Sequence, residues 1–181
     1  MDLSTNKCLN TLKGHSEYVT ILIKLNNAQI LSVGAERAIK IWNLLNGTCL
    51  QSFRDKFWYF ETPCLIRLQK TRFIGNSEKL LVIWDINSDH CVKAFSIQNQ
   101  ELTNAIVKIN KNSILTINQS NRIKLWSLDK GVCIKLFISH TKRVSSLIKL
   151  NSNEFASGSM DDTIKIWKIN DLNCIRSGLF S

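Results

Sequence analysis

Residues 123–134 read IKLWSLDKGVCI, in which a tryptophan is followed seven residues later by a cysteine and then by an aliphatic residue. The arrangement recurs along the chain, because Trp42, Trp84, Trp126 and Trp167 are spaced by 42, 42 and 41 residues and each has a cysteine seven positions later. Two residue types that share one period indicate an internal repeat. A chain of 181 residues has room for four such repeats and a short additional segment.

The cysteines that keep this period are Cys8, Cys49, Cys91, Cys133 and Cys174. Equivalent residues on stacked units lie roughly 10 Å apart, whereas a disulfide needs Cα atoms within about 7 Å. The sequence contains no Cys-x-x-Cys pair, and its three histidines are not at metal-ligand spacing from the cysteines. We therefore predict buried, unpaired thiols in a reducing compartment, with no metal site and no cofactor.

Each repeat contains four short segments with the character of β-strands. The first is a largely apolar run, as at residues 19–25 and 146–150, and such a run is typical of a strand buried on both faces. The third ends in the tryptophan and in three repeats alternates aliphatic residues with lysine. Because no helical stretch separates the strands, the sequence predicts an all-β fold.

Residues 156–167, ASGSMDDTIKIW, resemble the consensus of a WD40 repeat. Trp84-Asp85 supplies the Trp-Asp dipeptide, and His15 and His140 each lie 27 residues before a periodic tryptophan. This resemblance covers essentially the whole chain. It implies a WD40-type β-propeller, in which four-stranded blades are arranged radially.

The repeats predict four consecutive four-stranded blades plus one extra N-terminal outer strand. Residues 7–13 are assigned to the outer strand of a preceding blade, and residues 14–54, 55–96, 97–138 and 139–178 to blades one to four. The five periodic cysteines mark five outer strands, whereas the sequence contains only four sets of first, second and third strands. One outer strand is therefore surplus. Three solutions stay open: a partial propeller that needs further blades, association of two copies into a ring, or closure as a four-bladed ring.

The resemblance also implies a buried hydrogen-bond network in well-formed blades, made by a histidine, a hydroxyl residue, an aspartate and the tryptophan. Its predicted members are His15, Ser32, Trp42, Trp84, Trp126, His140, Ser157, Asp161 and Trp167. Glu36 stands where the first repeat should have aspartate, and Gly75 lies near the hydroxyl position of the second. These residues are interpreted as scaffold and not as catalytic groups.

In this family, partners dock on the face built by the loops before the first strands and the turns between the second and third strands. The residues predicted to line that face are Tyr18, Arg37, Phe57, Trp58, Tyr59, Phe60, Lys142 and Arg143. Four consecutive aromatic residues in a loop suit a partner-binding site. Alternatively, Trp58 takes the place of the missing histidine of the second repeat and the other rings pack inward.

The sequence contains no motif of a known enzyme class, which favours a non-catalytic scaffold that binds proteins or peptides. The formal net charge of +10 supports an alternative, a basic propeller that binds nucleic acid or an anionic membrane surface in an RNA-processing or trafficking complex. The lysines are scattered along the strands, however, which is typical of a solvated surface. No secretory signal or membrane span is visible, so the predicted location is intracellular, in the cytoplasm or nucleus.

Overall fold

The computed structural model of the chain describes residues 8–54, 64–77, 80–88, 90–97, 103–118, 121–170 and 174–179. Every regular element in these ranges is a β-strand, and the strands form four antiparallel sheets of four strands each. The prediction of an all-β fold built from four-stranded units is therefore confirmed. No helix among the described residues has the length and hydropathy that a membrane crossing requires.

The strands of each sheet follow one another in the order of the chain. Sheet 1 contains β1 (Val19–Lys24), β2 (Gln29–Gly34), β3 (Ala38–Asn43) and β4 (Cys49–Arg54). Sheet 2 contains β5 (Leu65–Arg67), β6 (Arg72–Ser77), β7 (Leu80–Asp85) and β8 (His90–Ser96). Sheet 3 contains β9 (Thr103–Lys108), β10 (Ser113–Asn118), β11 (Arg122–Ser127) and β12 (Val132–Ile138). Sheet 4 contains β13 (Val144–Lys149), β14 (Glu154–Ser159), β15 (Thr163–Lys168) and β16 (Cys174–Leu179).

The chain divides into two compact units, residues 1–59 with sheet 1 and residues 60–181 with sheets 2, 3 and 4. In the first unit, β2 and β3 supply the buried side chains, among them Leu31, Val33, Ile41 and Trp42. Residues 8–13 form no strand here, and the prediction that residues 7–13 are the outer strand of a preceding blade stays a prediction, because that blade is not among the described sheets. A strand exists by pairing, and none of the described strands pairs with this segment.

In the second unit, the sheets pack face against face through two apolar clusters. One cluster joins sheets 2 and 3 and contains Ile83, Phe95 and Trp126. The other joins sheets 3 and 4, where Phe137 meets Phe155 edge-on with ring centroids 5.0 Å apart. Each tryptophan of the repeat is thus a core residue of its sheet, which explains its regular spacing in the sequence.

Each fourth strand contains an extra residue directly after its cysteine. In sheet 1, Trp42 pairs with Cys49 and Ile41 pairs with Gln51, so Leu50 has no partner on β3. The same shift in register places Val92, Ile134 and Ile175 in the corresponding bulges of the other sheets. A β-bulge of this kind bends the strand and redirects the side chains around it.

The prediction that the periodic thiols are buried is wrong for Cys49 and Cys133, because they lie on the last strand of their sheets, where residues on both faces are exposed. Cys49 and Cys133 are exposed, and each thiol lies next to the backbone of its own strand, donating to the carbonyl oxygens of Gln51 and Lys135 at 3.2 and 3.4 Å. Cys8 is also exposed and donates to the Asn10 carbonyl at 3.3 Å. The cysteine recurs because a small side chain with a weak donor suits the start of a bulge.

Lysines two residues after the cysteines join neighbouring sheets of the second unit. The ammonium of Lys93 on β8 donates to the carbonyl oxygens of Leu128 and Asp129, at 2.9 and 2.5 Å, in the turn before β12. The ammonium of Lys135 on β12 donates to the Ile169 carbonyl in sheet 4, at 2.6 Å. A lysine thus recurs at this position in sheets 2 and 3, and each lysine reaches the carbonyl oxygen of a turn in the next sheet.

Lysines at the ends of first strands make the return contact. Lys108 on β9 donates to the Leu68 carbonyl of sheet 2, and Lys149 on β13 donates to the Ile109 carbonyl of sheet 3. Each interface of this unit is thus bridged by one cation from either side. The interpretation of the scattered lysines as merely solvated is wrong for these four, because their ammonium groups bind carbonyls that would otherwise lack a partner across the interface.

Among the described residues, one face of sheet 4 is not covered by another sheet. Its first strand is therefore not buried on both faces, although the sequence predicted this for first strands. Ile164 is 42% exposed, whereas Ile123 at the same register of sheet 3 is 0% exposed beneath sheet 4. On β13, Ile148 is likewise exposed. Apolar runs predict strands, but the burial of a strand depends on whether another sheet covers it.

We expect Lys135→Met to lower the free energy of unfolding by about 1.5 kcal/mol, because the Ile169 carbonyl loses a charged donor. The thioether keeps much of the packing where the lysine lies 4.9 Å from the centroid of the Phe137 ring. Urea denaturation measures the change. Lys111→Met, at an exposed position, serves as the control and should differ from wild type by less than about 0.5 kcal/mol. Equal stability of both variants would contradict a bridging role.

Candidate functional site

A closed chain of hydrogen bonds links the loop before β13 to the interior of sheet 4. His140 Nδ1 lies 2.8 Å from Asp161 Oδ2, and His140 Nε2 lies 2.8 Å from Ser157 Oγ. Trp167 Nε1 donates to the same hydroxyl oxygen at 2.8 Å. The Thr141 amide donates to Asp161 at 2.9 Å. The structure thus brings together the four residues predicted for the network of this repeat.

The chemistry of the donors assigns the protons in this chain. An indole nitrogen can only donate, so the Ser157 oxygen accepts from Trp167 and its own hydrogen is free to point to His140 Nε2. The imidazole then presents its Nδ1–H to the Asp161 carboxylate, which can only accept. Every buried polar atom of the chain has a partner in this arrangement, as a stable interior requires.

Asp161 is held as a carboxylate by its neighbours. Burial by itself would raise the pKa of this carboxyl, but hydrogen bonds from Thr163, from the Thr141 amide and from His140 hold the pKa far below its ordinary value. Thr163 contributes both its hydroxyl, at 2.5 Å, and its amide, at 3.2 Å. The negative charge is therefore part of the folded structure, and it faces an imidazole that is itself enclosed.

Sheet 1 contains the same chain with one substitution. Trp42 Nε1 donates to Ser32 Oγ at 2.7 Å, and His15 Nε2 lies 2.6 Å from that oxygen. His15 Nδ1 lies 2.5 Å from Glu36 Oε1, so glutamate takes the place of aspartate. Burial would raise the pKa of the Glu36 carboxyl, but the bond from His15 and backbone amides lower it below the ordinary value.

The Glu36 side chain is longer than that of aspartate, and it fits in sheet 1 because the residue next to it is a glycine. This residue, Gly34, occupies the position in sheet 1 that corresponds to Ser159 in sheet 4. A Cβ at Gly34 would come within 1.9 Å of Glu36 Oε2. That oxygen is buried and has no hydrogen-bond partner among the described residues, because Ala38 replaces the threonine that binds the second oxygen of Asp161. In sheet 1, the hydrogen bonds that link the histidine, the serine and the tryptophan are all present, whereas one oxygen of the carboxylate has no partner among the described residues.

Sheets 3 and 2 retain less of this pattern. In sheet 3, Trp126 Nε1 donates to Thr116 Oγ1 at 2.8 Å, which keeps the tryptophan and the hydroxyl. In sheet 2, Gly75 occupies the hydroxyl register, and a Cβ there would meet the Cys64 carbonyl at 2.8 Å and the Trp84 ring at 3.3 Å. Trp84 is therefore a buried core residue in a site too tight for a hydroxyl side chain.

Asn76 supplies a different polar fastening for sheet 2. Its buried side chain accepts from the Cys64 amide at 2.9 Å and donates to the Thr103 carbonyl of sheet 3 at 3.0 Å. Burial raises the pKa of the Cys64 thiol to about 11, so the sulfur keeps its proton and donates to the Asn104 carbonyl at 3.0 Å. Sequence reasoning missed this role, although an asparagine beside the glycine was a visible signal.

The enclosed network has the geometry of a scaffold. The side chains of His140 and Asp161 are 0% and 6% exposed, and the Ser157 hydroxyl already lies between Trp167 and His140. A nucleophile or a general base must reach a substrate, and these groups face one another instead. Within the described ranges, no three histidine, cysteine, aspartate or glutamate side chains are grouped as a metal site would require.

The outer ends of these networks carry the candidate partner-binding residues. The Met160 amide donates to the Arg143 carbonyl at 2.9 Å, and Ser159 Oγ lies 3.2 Å from the Lys142 carbonyl. The side chains of Lys142, Arg143 and Met160 are exposed. The loop backbone is thus fastened to the turn before β15 while its side chains point to solvent.

Sheet 1 repeats this arrangement. The Ala35 amide donates to the Tyr18 carbonyl at 2.9 Å, and the Tyr18 side chain is 73% exposed. Arg37, also exposed, occupies the left-handed region with φ 67°, as a tight turn between strands demands. The predicted aromatic residues 57–60 lie outside the described residues.

Comparison with known proteins agrees with this geometry. The family model described as "WD domain, G-beta repeat" matches residues 6–43 and residues 131–168. Both matched segments hold a complete His–Ser–Trp chain. These two segments match the WD40 repeat. In each matched segment the cysteine is the third residue, so Cys8 stands at the place of Cys133 on β12 although no strand forms around it here.

Several curated proteins are similar to this chain. Human pre-mRNA-processing factor 17 is 26% identical over 137 residues, which cover 71% of this chain and 23% of that protein. Autophagy-related protein 16 of Arabidopsis thaliana is 23% identical over 141 residues, with coverages of 76% and 28%. The WD repeat domain-containing protein 83 homolog of Dictyostelium discoideum is 25% identical over 124 residues, with coverages of 67% and 38%. The chain therefore spans between about a quarter and two fifths of the length of these relatives.

We expect Ser157→Ala to cost about 3 kcal/mol of unfolding free energy, because the Trp167 indole and His140 Nε2 lose their common partner inside the sheet. Chemical denaturation followed by tryptophan fluorescence measures the loss. The matched control is Ser157→Thr, which installs the residue that sheet 3 carries at this register, Thr116, and should cost less than about 1 kcal/mol. A loss of similar size in both variants would show that packing, and not the hydroxyl, is responsible.

The depressed pKa of Asp161 predicts how stability depends on pH. Its contribution is present above the unfolded pKa, near 4, and is lost as the pH falls through the lower folded value. Asp161→Asn should therefore be less stable than wild type at pH 7, and the difference should shrink below about pH 4. Urea midpoints at pH 7, 5 and 3 test this. The neighbouring exposed variant Asp162→Asn is the control, and parallel curves for wild type and Asp161→Asn would refute the assignment.

Proposed function

We propose that the chain is a non-catalytic protein-interaction module that presents the loops before its first strands, and the turns before its third strands, to protein or peptide partners. The observation that carries this proposal is the fastening of those loops to buried networks while their side chains remain exposed. In sheet 4, the hydrogen bond between His140 and Asp161 holds the loop before β13 in place. The side chains of Arg143 and Met160, at the end of that loop and in the adjacent turn, are exposed to solvent. Preformed loops lose little conformational freedom on binding, which favours affinity.

The residues at this surface suit recognition of a protein. In the first unit, Tyr18 and Arg37 are exposed on the loop and turn of sheet 1. In the second unit, Met160 is exposed together with Lys142 and Arg143. Tyrosine, methionine and arginine are enriched in protein interfaces, and tyrosine and arginine among the residues that dominate their energy. The aromatic run at residues 57–60 stays a predicted part of this surface.

The charge distribution favours a protein partner over nucleic acid. Lys93, Lys108, Lys135 and Lys149 bind backbone carbonyls between sheets, so they contribute to packing more than to a phosphate-binding surface. A protein that binds nucleic acid through charge needs its cations arranged along the phosphate backbone. Four of the 24 basic residues behind the net charge of +10 are thus engaged between sheets.

An intracellular location, nuclear or cytoplasmic, belongs to the same proposal. It is supported by the similarity to a protein named for pre-mRNA processing and to another named for autophagy. The described cysteines carry free thiols, which suits a reducing compartment. The named processes belong to those relatives, and the pathway of this chain awaits its partner.

Affinity capture with the paired substitutions Lys142→Ala and Arg143→Ala tests the proposed surface. Only the backbone atoms of these residues take part in the loop fastening, so the fold should persist while partners are lost. The control pair, Lys111→Ala and Lys130→Ala, removes the same charge from exposed turns that do not belong to this surface. Partners retained equally by both pairs would reject this surface. Binding of single-stranded RNA that weakens with salt in the control pair and vanishes in the surface pair would favour nucleic acid.

A further inference from the structure

The turn between β3 and β4 contains the one Asn-Gly pair of the sequence, Asn46-Gly47. Asn46 is exposed, and Gly47 has a positive φ of 74°, which residues with a side chain rarely adopt. The Gly47 amide donates to the Asn43 carbonyl at 2.9 Å, and the Asn43 amide donates to the Thr48 carbonyl, also at 2.9 Å. These two backbone bonds define the turn. It shares no residue with the proposed partner-binding loops.

The side chain of Asn46 folds forward over the next peptide. Its Oδ1 accepts from the Thr48 amide at 3.1 Å and from the Thr48 hydroxyl at 2.8 Å. The bond from the amide closes an Asx turn, a small ring that contains both the carboxamide carbon Cγ of Asn46 and the backbone nitrogen of Gly47. Because both atoms belong to one small hydrogen-bonded ring, Cγ is held next to that nitrogen.

Four other asparagines form the same turn with the amide two residues later, namely Asn26, Asn43, Asn110 and Asn151. The residues that follow them are asparagine, leucine, lysine and serine. In those turns a side chain stands beside the backbone nitrogen and hinders its approach to Cγ, whereas glycine leaves the approach open. Among these five turns, only that of Asn46 is followed by a residue without a side chain.

We propose that Asn46 is a site of spontaneous modification, at which the Gly47 nitrogen attacks the Asn46 carboxamide and leads to its conversion to a carboxylate. In the first step the nitrogen gives its proton to solvent and bonds to Cγ. The bond between Cγ and Nδ2 then breaks, and Nδ2 takes a proton from solvent and leaves as ammonia. The product is a five-membered succinimide ring.

Water completes the reaction by opening the ring. Its oxygen bonds to one of the two ring carbonyl carbons, the bond from that carbon to the Gly47 nitrogen breaks, and the nitrogen regains a proton. Opening at Cγ gives aspartate, whereas opening at the backbone carbonyl of residue 46 gives isoaspartate. The sequence of steps consumes one water, releases one ammonia and involves no oxidation or reduction.

The turn supplies two conditions that this reaction needs. The Asx turn positions the nitrogen and Cγ for attack, which removes part of the entropic barrier. As the nitrogen bonds to Cγ, negative charge develops on Oδ1, and the two donors of Thr48 already point to that oxygen. Donors that are in place before the reaction stabilise such charge. The fold therefore favours the attack at Asn46 beyond what the dipeptide alone would do.

The two products have different effects on the turn. Aspartate keeps the backbone and offers Thr48 a carboxylate in place of the amide oxygen, so the turn persists with one more negative charge. Isoaspartate carries the chain through Cβ, which adds one backbone atom at residue 46. The bonds from Gly47 to Asn43 and from Asn43 to Thr48 then no longer match the length of the chain between them. This product should therefore loosen the start of β4, the edge strand of sheet 1.

Peptide mapping by mass spectrometry of the folded protein, incubated at mildly alkaline pH, tests the proposal. We expect residue 46 to lose its amide at least tenfold faster than residues 26, 43, 110 and 151, which are matched controls within the same chain. Thr48→Val keeps the backbone donor and removes the hydroxyl, and it should react about threefold more slowly. The chain unfolded in urea lacks the turn and should react more slowly than the folded protein.

Equal loss of the amide at residue 46 and at the other four asparagines would overturn the proposal. A folded protein that reacts more slowly than the unfolded chain would show that the turn protects Asn46, and would also reject it. An unchanged rate in Thr48→Val would contradict the role of the hydroxyl.

Hydrogen exchange separates the effects of the two products. Asn46→Asp should protect the Gly47 amide as wild type does, whereas the isoaspartate form, isolated by ion exchange, should exchange this amide at least tenfold faster. Equal protection of the Gly47 amide in the isoaspartate form would refute the predicted loosening of β4.

Discussion

A buried indole must give its N–H to an acceptor, and this requirement organises the polar interior of three of the four sheets. Trp42, Trp126 and Trp167 each donate to a hydroxyl ten residues earlier on the second strand. An unpaired indole N–H in such a core would cost free energy comparable to the stability of a small sheet. Once the hydroxyl accepts from the indole, its own proton is available to a histidine from outside the sheet. The network thereby transmits the order of the core to the loops where partners are proposed to bind.

The period of the tryptophans and cysteines was sufficient to predict the number and type of the sheets, because both residues stand at one cross-strand pair, as Trp42 and Cys49 do. The residues His140, Ser157 and Asp161 could be chosen because the resemblance to the WD40 consensus places them in the loop before the first strand, on the second strand and in the turn that follows it. The exposure of Cys49 and Cys133 could not be predicted, since it depends on their position in the last strand of each sheet, where both faces are exposed, and not on composition. Residues 57–60, the most conspicuous feature of the sequence, lie outside the described residues.

Contacts between sheets were the least predictable part of the structure. Lys93 and Lys135 look like ordinary strand lysines, and only packing shows that each reaches a carbonyl of the next sheet. Gly34 and Glu36 likewise form a matched pair, in which the missing side chain makes room for the longer carboxylate. In such cases the meaning of one residue depends on another that lies in a different strand or sheet.

The amide of Asn76 has a consequence for how the second unit comes apart. Its two bonds run to Cys64 in its own sheet and to Thr103 in the next one, so the polar fastening of sheet 2 is shared with its neighbour. By comparison, the buried hydrogen bonds of sheet 4, which run from His140 through Ser157 to Trp167, stay within that sheet and the loop before it. Sheet 2 therefore cannot open locally without releasing a carbonyl at the edge of sheet 3. Because the second apolar cluster and two lysine bonds tie sheet 3 to sheet 4 in turn, the whole second unit should melt as one cooperative block.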